Sequence, residues 1–482
     1  MEPKFITSES QVTIERLYIM PRKPPSGVVG AQINDVVLMG TAVRGPVDTL
    51  VEITSPSRFE EVFGGRDYGA GAGTIFSEMW KALLHKPFGR IWCVRAAAAA
   101  GIVSTINLGT IVRADASSKG LWSAGLITCT VKAATNADAN SWDLDVKYLG
   151  RTQSYINLLT TTGNDNLLVT LGDDFGNYVV LTKLLDGRPP NGDYVLVGGT
   201  DGAIADTDFT GAARSLEIGF GKRKGVIAWL VAGRSNSVIK AALKAKAAVI
   251  SVGHVLMCPD AANTSAATAN TEAAANTVPG GRIIYCFNHP SRVLDPVTGT
   301  FIVVEPHTFM ASILSQTDAE QHVGDEDTKQ YTAGINALTF APDELVLDTA
   351  RKAGVAELVE DDGGFIFQSG VTTDHLEIAD VRAADWLNAS IGDRLKHDVK
   401  KPNTVARRRA QVAVISQFLQ EQKDAEHLVE SFLVDGEALD TQVSRGQNKR
   451  KILVRGRLIS HMNFIILSTE FGTQVVLGDL AA

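Results

Sequence analysis

Cysteine is scarce and dispersed in this chain. The four are Cys93, Cys129, Cys258 and Cys286. No two lie within a few residues of each other, so neither a CxxC redox pair nor a zinc-knuckle spacing exists. Cys93 and Cys129 sit inside strand-like runs at 90–94 and 126–129, which reads as buried, reduced thiols. No apolar stretch approaches the ~18 residues needed to cross a bilayer. Met1-Glu2-Pro3-Lys4-Phe5 lacks the basic-then-apolar pattern of a secretory signal, so a protein made and folded in cytoplasm is expected. Basic excess is missing too. Lys and Arg number 46 against 54 Asp and Glu, a formal net charge of −8. That argues against a general nucleic-acid binder, because phosphate recognition takes a clustered basic surface.

Catalytic signatures are also wanting. There is no HExxH and no G-x-S-x-G elbow. The glycine-rich stretch 69–74 precedes a predicted helix, where a phosphate-cradling loop belongs. Yet no strand leads directly into it, and no acidic residue is placed for a dinucleotide fingerprint. Gly219-Phe220-Gly221-Lys222-Arg223 is P-loop-like only on the surface: Leu216 occupies the upstream glycine position, and Arg223 replaces the magnesium-holding Ser or Thr. His307 and His322 flank a predicted helix with Asp318, Glu320, Asp325, Glu326 and Asp327 nearby. This reads as a charged, solvated loop rather than a metal site. Glu360-Asp361-Asp362 likewise reads as an acidic turn. No catalytic, cofactor or metal residue is assigned, and the chain is expected not to be an enzyme. An acidic multi-domain enzyme is the rival from a different class.

What is present describes a folded protein of two to four domains: 482 residues, 45% apolar and 21% charged. Residues 1–25 read as an extended arm. Val12, Ile14, Leu17 and Ile19 have strand character, and Pro21, Pro24 and Pro25 punctuate the run. Residues 26–97 alternate strands and helices. Asp35-Val36-Val37-Leu38-Met39-Gly40 is a buried-strand run, Ser55 and Pro56 open a short helix stopped by glycines, 74–85 is an amphipathic helix, and 90–94 returns as a strand.

Residues 101–197 read as a β-rich insertion, with alternation in Trp142-Asp143-Leu144-Asp145-Val146-Lys147. The α/β pattern resumes over 198–375, with strands near 225–231 and 247–252 around a helix at 235–245. The Ala/Asn/Thr tract 261–277 reads as a solvated loop or fraying helix. Over 376–470, helices at 381–396 and 404–422 precede strands at 451–459 and 463–469, and Val405, Val412, Ile415 and Leu419 share one face of the second helix. The last arm, 471–482, has no obvious partner within its own chain. Both ends read as strands in need of an edge.

Residues 26–97 resemble the tail sheath proteins of contractile-tailed phages. The resemblance rests on Gly27-Val28-Val29-Gly30, Gly40-Thr41-Ala42, Arg44-Gly45-Pro46-Val47-Asp48, Ile53-Thr54-Ser55, the Phe59 to Gly65 segment, the following helix, and Ile91-Trp92-Cys93-Val94-Arg95. It continues in Gly198-Gly199-Thr200-Asp201-Gly202 with the helix 206–216, in Ala379-Asp380-Val381-Arg382, and in Lys401-Pro402-Asn403. Two segments depart from the family pattern, 305–312 and the short turn 460–464.

The resemblance implies an α/β and α+β multi-domain protein. Its central domain would be subtilisin-like in fold but non-catalytic, with the β-rich insertion, a helix-plus-sheet C-terminal domain lining a tube, and extended terminal arms. It implies a subunit that polymerises as stacked rings or a helical sheath and contracts to drive an inner tube through a cell envelope. The partners implied are further copies of the chain, the inner tail tube protein, and baseplate and tail terminator proteins, with no direct nucleic acid, membrane insertion or cofactor. The place implied is a virion tail assembled in host cytoplasm; a headless bacteriocin or a secretion-type injection system is the alternative setting.

Donated strands would then come from Val12, Ile14, Leu17 and Ile19 and from Val475, Val476 and Leu477. The acceptor sheet would be Ile452, Val454 and Leu458 with Phe464 and Ile466. The basic cluster Lys400, Lys401, Arg407, Arg408 and Arg409 reads either as a solvated helix start or as a patch facing an acidic tube.

Overall fold

The computed structural model describes residues 4–5, 18–19, 34–64 and 90–459, less 137, 162, 172–173, 175, 210–225, 232–234, 251, 261–264, 295–300, 303, 399–400, 427 and 439–449. The expected helix at 74–85 and both glycine-rich candidates, 69–74 and 219–223, lie outside these residues. The chain divides into two compact units, Met1–His397 and Asp398–Ala482.

An eight-stranded sheet organises the first unit. Its strands are β1 (Asp35–Gly40), β2 (Leu50–Ile53), β3 (Ile91–Arg95), β11 (Val226–Val231), β12 (His254–Met257), β13 (Ile283–Phe287), β14 (Val355–Asp361) and β15 (Gly364–Phe367), in the order β15-β14-β13-β12-β11-β1-β3-β2. Six central strands run parallel, and the two edge strands are antiparallel to their neighbours. Parallel strands covered on both faces must be apolar throughout, and the sequence complies. Val36 and Leu38 enter one core, Val37 and Met39 the other. Helices α2 (Ser237–Ala247), α3 (Ala266–Ala275) and α5 (Glu344–Lys352) give buried residues to the second core, while α1 (Pro56–Phe63) and α4 (Pro306–Gln316) fill the first.

Helix α1 forms as its capping residues dictate. The Ser55 hydroxyl accepts from Arg58 N at 3.1 Å, Pro56 takes the first turn, and Gly64 ends the helix at φ 90°. Gly45 lies against that end: a Cβ there would sit 2.7 Å from the Phe63 ring and 2.9 Å from Val62 O.

Between β3 and β11 the chain builds two antiparallel sheets around one shared core. One contains β4 (Thr105–Leu108), β5 (Val112–Ala116) and β9 (Val179–Lys183). The other contains β6 (Ile127–Ala133), β7 (Ser141–Tyr148), β8 (Arg151–Thr161) and β10 (Gly192–Val195), with a two-residue strand at Asn164–Asp165. Trp142, Leu144 and Val146 are fully buried at every second position of β7.

Two arginines join this β module to the main sheet. Arg95 donates to Ala42 O, Gly45 O and Lys119 O, each at 3.0 Å. Burial lowers its pKa to about 10. Arg44 is 2% exposed, with its guanidinium over the rings of Tyr178 (4.6 Å), Trp122 (5.4 Å) and Tyr148 (5.6 Å).

Several expectations need correction, beginning with the strand expected near 247–252: α2 runs through Ala247, and the strand is β12, His254–Met257. The tract 261–277, expected as a solvated loop or fraying helix, is a core helix where it is described: α3 covers Ala266–Ala275, and Ala269 and Ala273 are fully buried. Side chains this small let the helix lie close on the sheet, a use of alanine that hydrophobic contrast does not reveal. Helix α6 (Ile378–Leu395), expected to open the C-terminal segment from 376, falls in the first unit. Buried polar groups anchor it there. Asp385 pairs with Arg282, and fully buried Arg382 donates to Leu314 O (3.0 Å), Thr317 O (2.7 Å) and Thr317 Oγ1 (3.0 Å) at the end of α4.

The second unit contains α7 (Val405–Asp424), β16 (Val429–Asp435) and β17 (Leu453–Leu458). The Thr404 side chain caps α7. Its buried stripe is Ile415, Phe418, Leu419 and Gln422, and α7 packs on β16. Val405, expected on the apolar face, is 53% exposed: it occupies the first helical position, one turn or more before the stripe begins.

Candidate assembly surface

Strands β16 and β17 form an antiparallel ribbon. Val454 faces Val434 and Leu458 faces Val429 across it, while Ile452 lies just ahead of β17. The partner expected for this strand was 463–469, which includes Phe464 and Ile466 and lies outside the described residues. The observed partner is Val429–Asp435, a segment without the alternation expected of a strand. Its one sequence signal is the β-prone run Phe432-Leu433-Val434 between the last helix and a polar stretch of sequence.

Among the described residues neither strand has a second partner, so each keeps an open edge. The ribbon is also only half covered, with Leu433 53% exposed. Asp435 closes the far end of β16 by accepting from Glu437 N (2.7 Å) and Ala438 N (2.9 Å), bonds that hold its carboxyl below the usual carboxylate range. An exposed edge of N–H and C=O groups is a template for an added strand.

Of the candidate donated residues, Ile19 is described. It belongs to the short strand Tyr18–Ile19, which pairs in parallel with Lys4–Phe5. Val12, Ile14, Leu17, Val475, Val476 and Leu477 lie outside the described residues.

The basic cluster separates into members with local work and one without. Lys401 and Arg407 both approach Asp398, at 3.7 Å. Arg407 also donates to Pro402 O (2.7 Å), and Arg408 donates to Asn403 O (3.2 Å). These contacts tie the first turn of α7 to the preceding loop and offset cationic charge beside the positive end of a helix dipole. Arg409 is exposed and has no ion pair among the described residues. Lys400 lies outside them.

The first unit holds a buried polar cluster that the sequence did not reveal. It lies at the C-terminal ends of β11, β12 and β13, against the start of α4. Cys258 Sγ is 3.0 Å from Glu305 Oε2 and 2.9 Å from His307 Nδ1. His289 Nε2 is 2.9 Å from Glu305 Oε2, and His307 Nε2 is 3.2 Å from Val231 O. Ser235 Oγ donates to Cys258 O. The exposures are 0% for Cys258, 5% for His289, 4% for Glu305 and 2% for His307.

Burial and the Glu305 carboxylate push the Cys258 thiol well above its ordinary pKa. Burial lowers His307 to about 4. For Glu305, burial acts upward but is outweighed by the hydrogen bond from His289 and by electrostatic interaction with the two imidazoles, and its carboxyl ends below the ordinary value. The expectation of a solvated loop around His307 is therefore wrong. His307 is in the first turn of α4, whereas His322 is half-buried and faces Glu377 at 3.8 Å. Only the topology brings together 258, 289, 305 and 307, so no local spacing announces them.

No protein-family model matches the sequence, and no curated protein matches it. Among the described residues no helix is long and apolar enough to cross a membrane. The structure is similar to the sheath tail protein of Listeria innocua, with a TM-score of 0.63 and 16% identity over 89% of this chain and 96% of that one. It is also similar to the sheath tail protein of Desulfitobacterium hafniense, with a TM-score of 0.58 and 13% identity over 92% of this chain and all of that one. The helical sheath of the anti-feeding prophage in its contracted state gives a TM-score of 0.57 and 11% identity over 95% and 99%. What this chain shares with them is a mixed α/β, multi-domain fold.

Proposed function

We propose that the chain is the structural subunit of a contractile sheath. It polymerises around a rigid inner tube through exchange of terminal strands, and contraction drives that tube through a cell envelope. The observation that carries this reading is the β16–β17 ribbon, with an open edge on each strand among the described residues. The fold shared with sheath tail proteins supports it.

In this reading the segment with Val12, Ile14, Leu17 and Ile19, and the segment with Val475, Val476 and Leu477, leave their own molecule. They pair with ribbons that contain Ile452, Val454 and Leu458 in neighbouring copies. Main-chain hydrogen bonds to an edge form regardless of side chain, so such joints survive while the linkers beside them change direction. The central domain is the subtilisin-like, non-catalytic body, and the second unit lines the tube. A baseplate and a terminator close the two ends. The extended sheath is kinetically trapped. Burial of ~100 Å² more apolar surface per subunit on contraction releases about 2.5 kcal/mol, which becomes mechanically useful when summed over many subunits.

The test is direct. Full-length protein, alone and with tube protein, is imaged by negative-stain electron microscopy. Tubes of sheath width that disappear on deletion of 1–25 or 471–482 are expected. Polymers that form undiminished without both arms would overturn strand exchange. A full-length chain that stays monomeric with tube protein present would overturn the sheath reading.

A further inference from the structure

We infer that Cys258, Glu305, His289 and His307 form a buried site for one divalent transition-metal ion of the zinc class. The donors are a thiol sulfur, a carboxylate oxygen and two imidazole nitrogens, the set that zinc and cobalt(II) favour over magnesium or calcium. The donor atoms of Cys258, His289 and Glu305 all lie within 4.8 Å of one another. His307 Nδ1 is outside that compact set but touches Sγ at 2.9 Å, which makes it the fourth donor within reach. A tetrahedral zinc would hold such donors roughly 3.3–3.7 Å apart, so the contacts of Sγ with Glu305 Oε2 (3.0 Å) and His307 Nδ1 (2.9 Å) open by about half an ångström, and the His307 ring swings toward the other donors as the ion binds.

The hydrogen bonding leaves a place for a cation. With His307 Nε2 donating to Val231 O, Nδ1 turns a lone pair toward Sγ. The single thiol hydrogen then cannot serve both Glu305 Oε2 at 3.0 Å and His307 Nδ1 at 2.9 Å. One of these two close contacts sets acceptor against acceptor, which is costly where water is excluded. A metal ion between the donors removes the conflict: the thiol gives up its proton to solvent, and sulfur, oxygen and nitrogen each direct a lone pair at the ion. The bond from His307 to Val231 O is the outer contact that ordinarily orients a metal-bound imidazole.

The site stands at the carboxyl ends of parallel strands, where open α/β sheets place their ligands. Its role there is structural. It pins the first turn of α4 to the ends of β12 and β13.

The full-length chain is produced in cobalt-supplemented medium, since side chains this buried load during folding. Expected are one cobalt ion per chain after desalting, a near-ultraviolet thiolate-to-cobalt band, and intense visible bands of tetrahedral cobalt. Cys258→Ala removes the thiolate band. Folded wild-type protein that retains neither cobalt nor zinc overturns the site, as does a thiolate band unchanged in Cys258→Ala. Should that variant not fold, Glu305→Gln decides: loss of cobalt to a chelator at least roughly tenfold faster than wild type supports the site, and an unchanged rate overturns it. Tube formation is scored separately, so failure of either reading is recognised on its own.

Discussion

Arg282 and Asp385 meet in a two-pronged ion pair, Nη1 to Oδ2 at 2.6 Å and Nη2 to Oδ1 at 2.9 Å, with the carboxylate almost fully buried. Asp385 Oδ2 also accepts from Gly253 N at 2.8 Å. One side chain on α6 thereby fixes the entrances to both β12 and β13. Burial raises the Asp385 pKa even so, because desolvation exceeds the help from Arg282. Arg282→Leu should destabilise the first unit by about 3–5 kcal/mol by stranding a buried carboxylate, and Arg282→Leu with Asp385→Leu should recover much of that loss. Urea denaturation of the two variants measures it. A double variant no better than the single would show that the pair's geometry, not its charge, matters.

Glu357 supplies a pH dependence. It lies on β14 at 1% exposure, and neither carboxylate oxygen has a hydrogen-bond partner among the described residues. Burial raises its pKa to about 7. A carboxyl whose folded pKa exceeds its unfolded value favours the folded state fully below the unfolded pKa of ~4.5, and that advantage is lost as pH rises to about 7. Wild type should therefore lose up to about 3 kcal/mol relative to Glu357→Gln between pH 4.5 and 7.5. Paired unfolding curves across that range read the difference, and a pH-independent gap would rule Glu357 out as the cause.

Arg44 predicts that charge alone is not enough at the junction between the β module and the main sheet. Its guanidinium lies over three aromatic rings and donates to Glu60 O (3.2 Å) and Glu61 O. Lys cannot stack as a plane or bond as a fork. Arg44→Lys should cost about 2 kcal/mol and speed proteolysis near 96–104. Equal stability and equal cleavage would show that the rings need only a cation.

In the basic cluster, the single substitution Arg409→Glu is the cleanest probe. Arg407 and Arg408 hold the loop before α7, so replacing all three confounds charge with local structure. Arg409→Glu should leave stability within about 0.5 kcal/mol; under the proposed sheath reading, a tube-facing cluster predicts weaker salt-sensitive binding to tube protein, and a solvated helix start predicts no change. Thr404→Ala, which removes the cap of α7, should instead cost about 1 kcal/mol. Thermal unfolding and co-sedimentation with tube protein at two salt concentrations separate the two effects.

The sequence was legible wherever one physical signal decided the outcome. Uninterrupted apolar runs marked β1, β3 and β11, alternation marked β7, and Ser55 with Pro56 marked the start of α1. It was opaque where distant segments decide. Alanine-rich α3 is held by close packing on the sheet, and β16 is a strand because β17 lies beside it. His307 is buried because α4 carries it beneath the strand ends. The arginines that matter most to the interior, Arg44, Arg95 and Arg382, stand in segments first notable as a resemblance. Their role, bonding to backbone carbonyls or covering aromatic rings, is visible only in three dimensions.

Arg382 also imposes an order of events on synthesis. The carbonyls of Leu314 and Thr317 at the end of α4 are satisfied by a side chain 65 and more residues further along. A nascent chain that has emerged only as far as 370 has made α4 but not the group that closes it, so those oxygens must stay wet and the helix end unsealed. The main sheet can reach its dry, finished state only after α6 has left the ribosome.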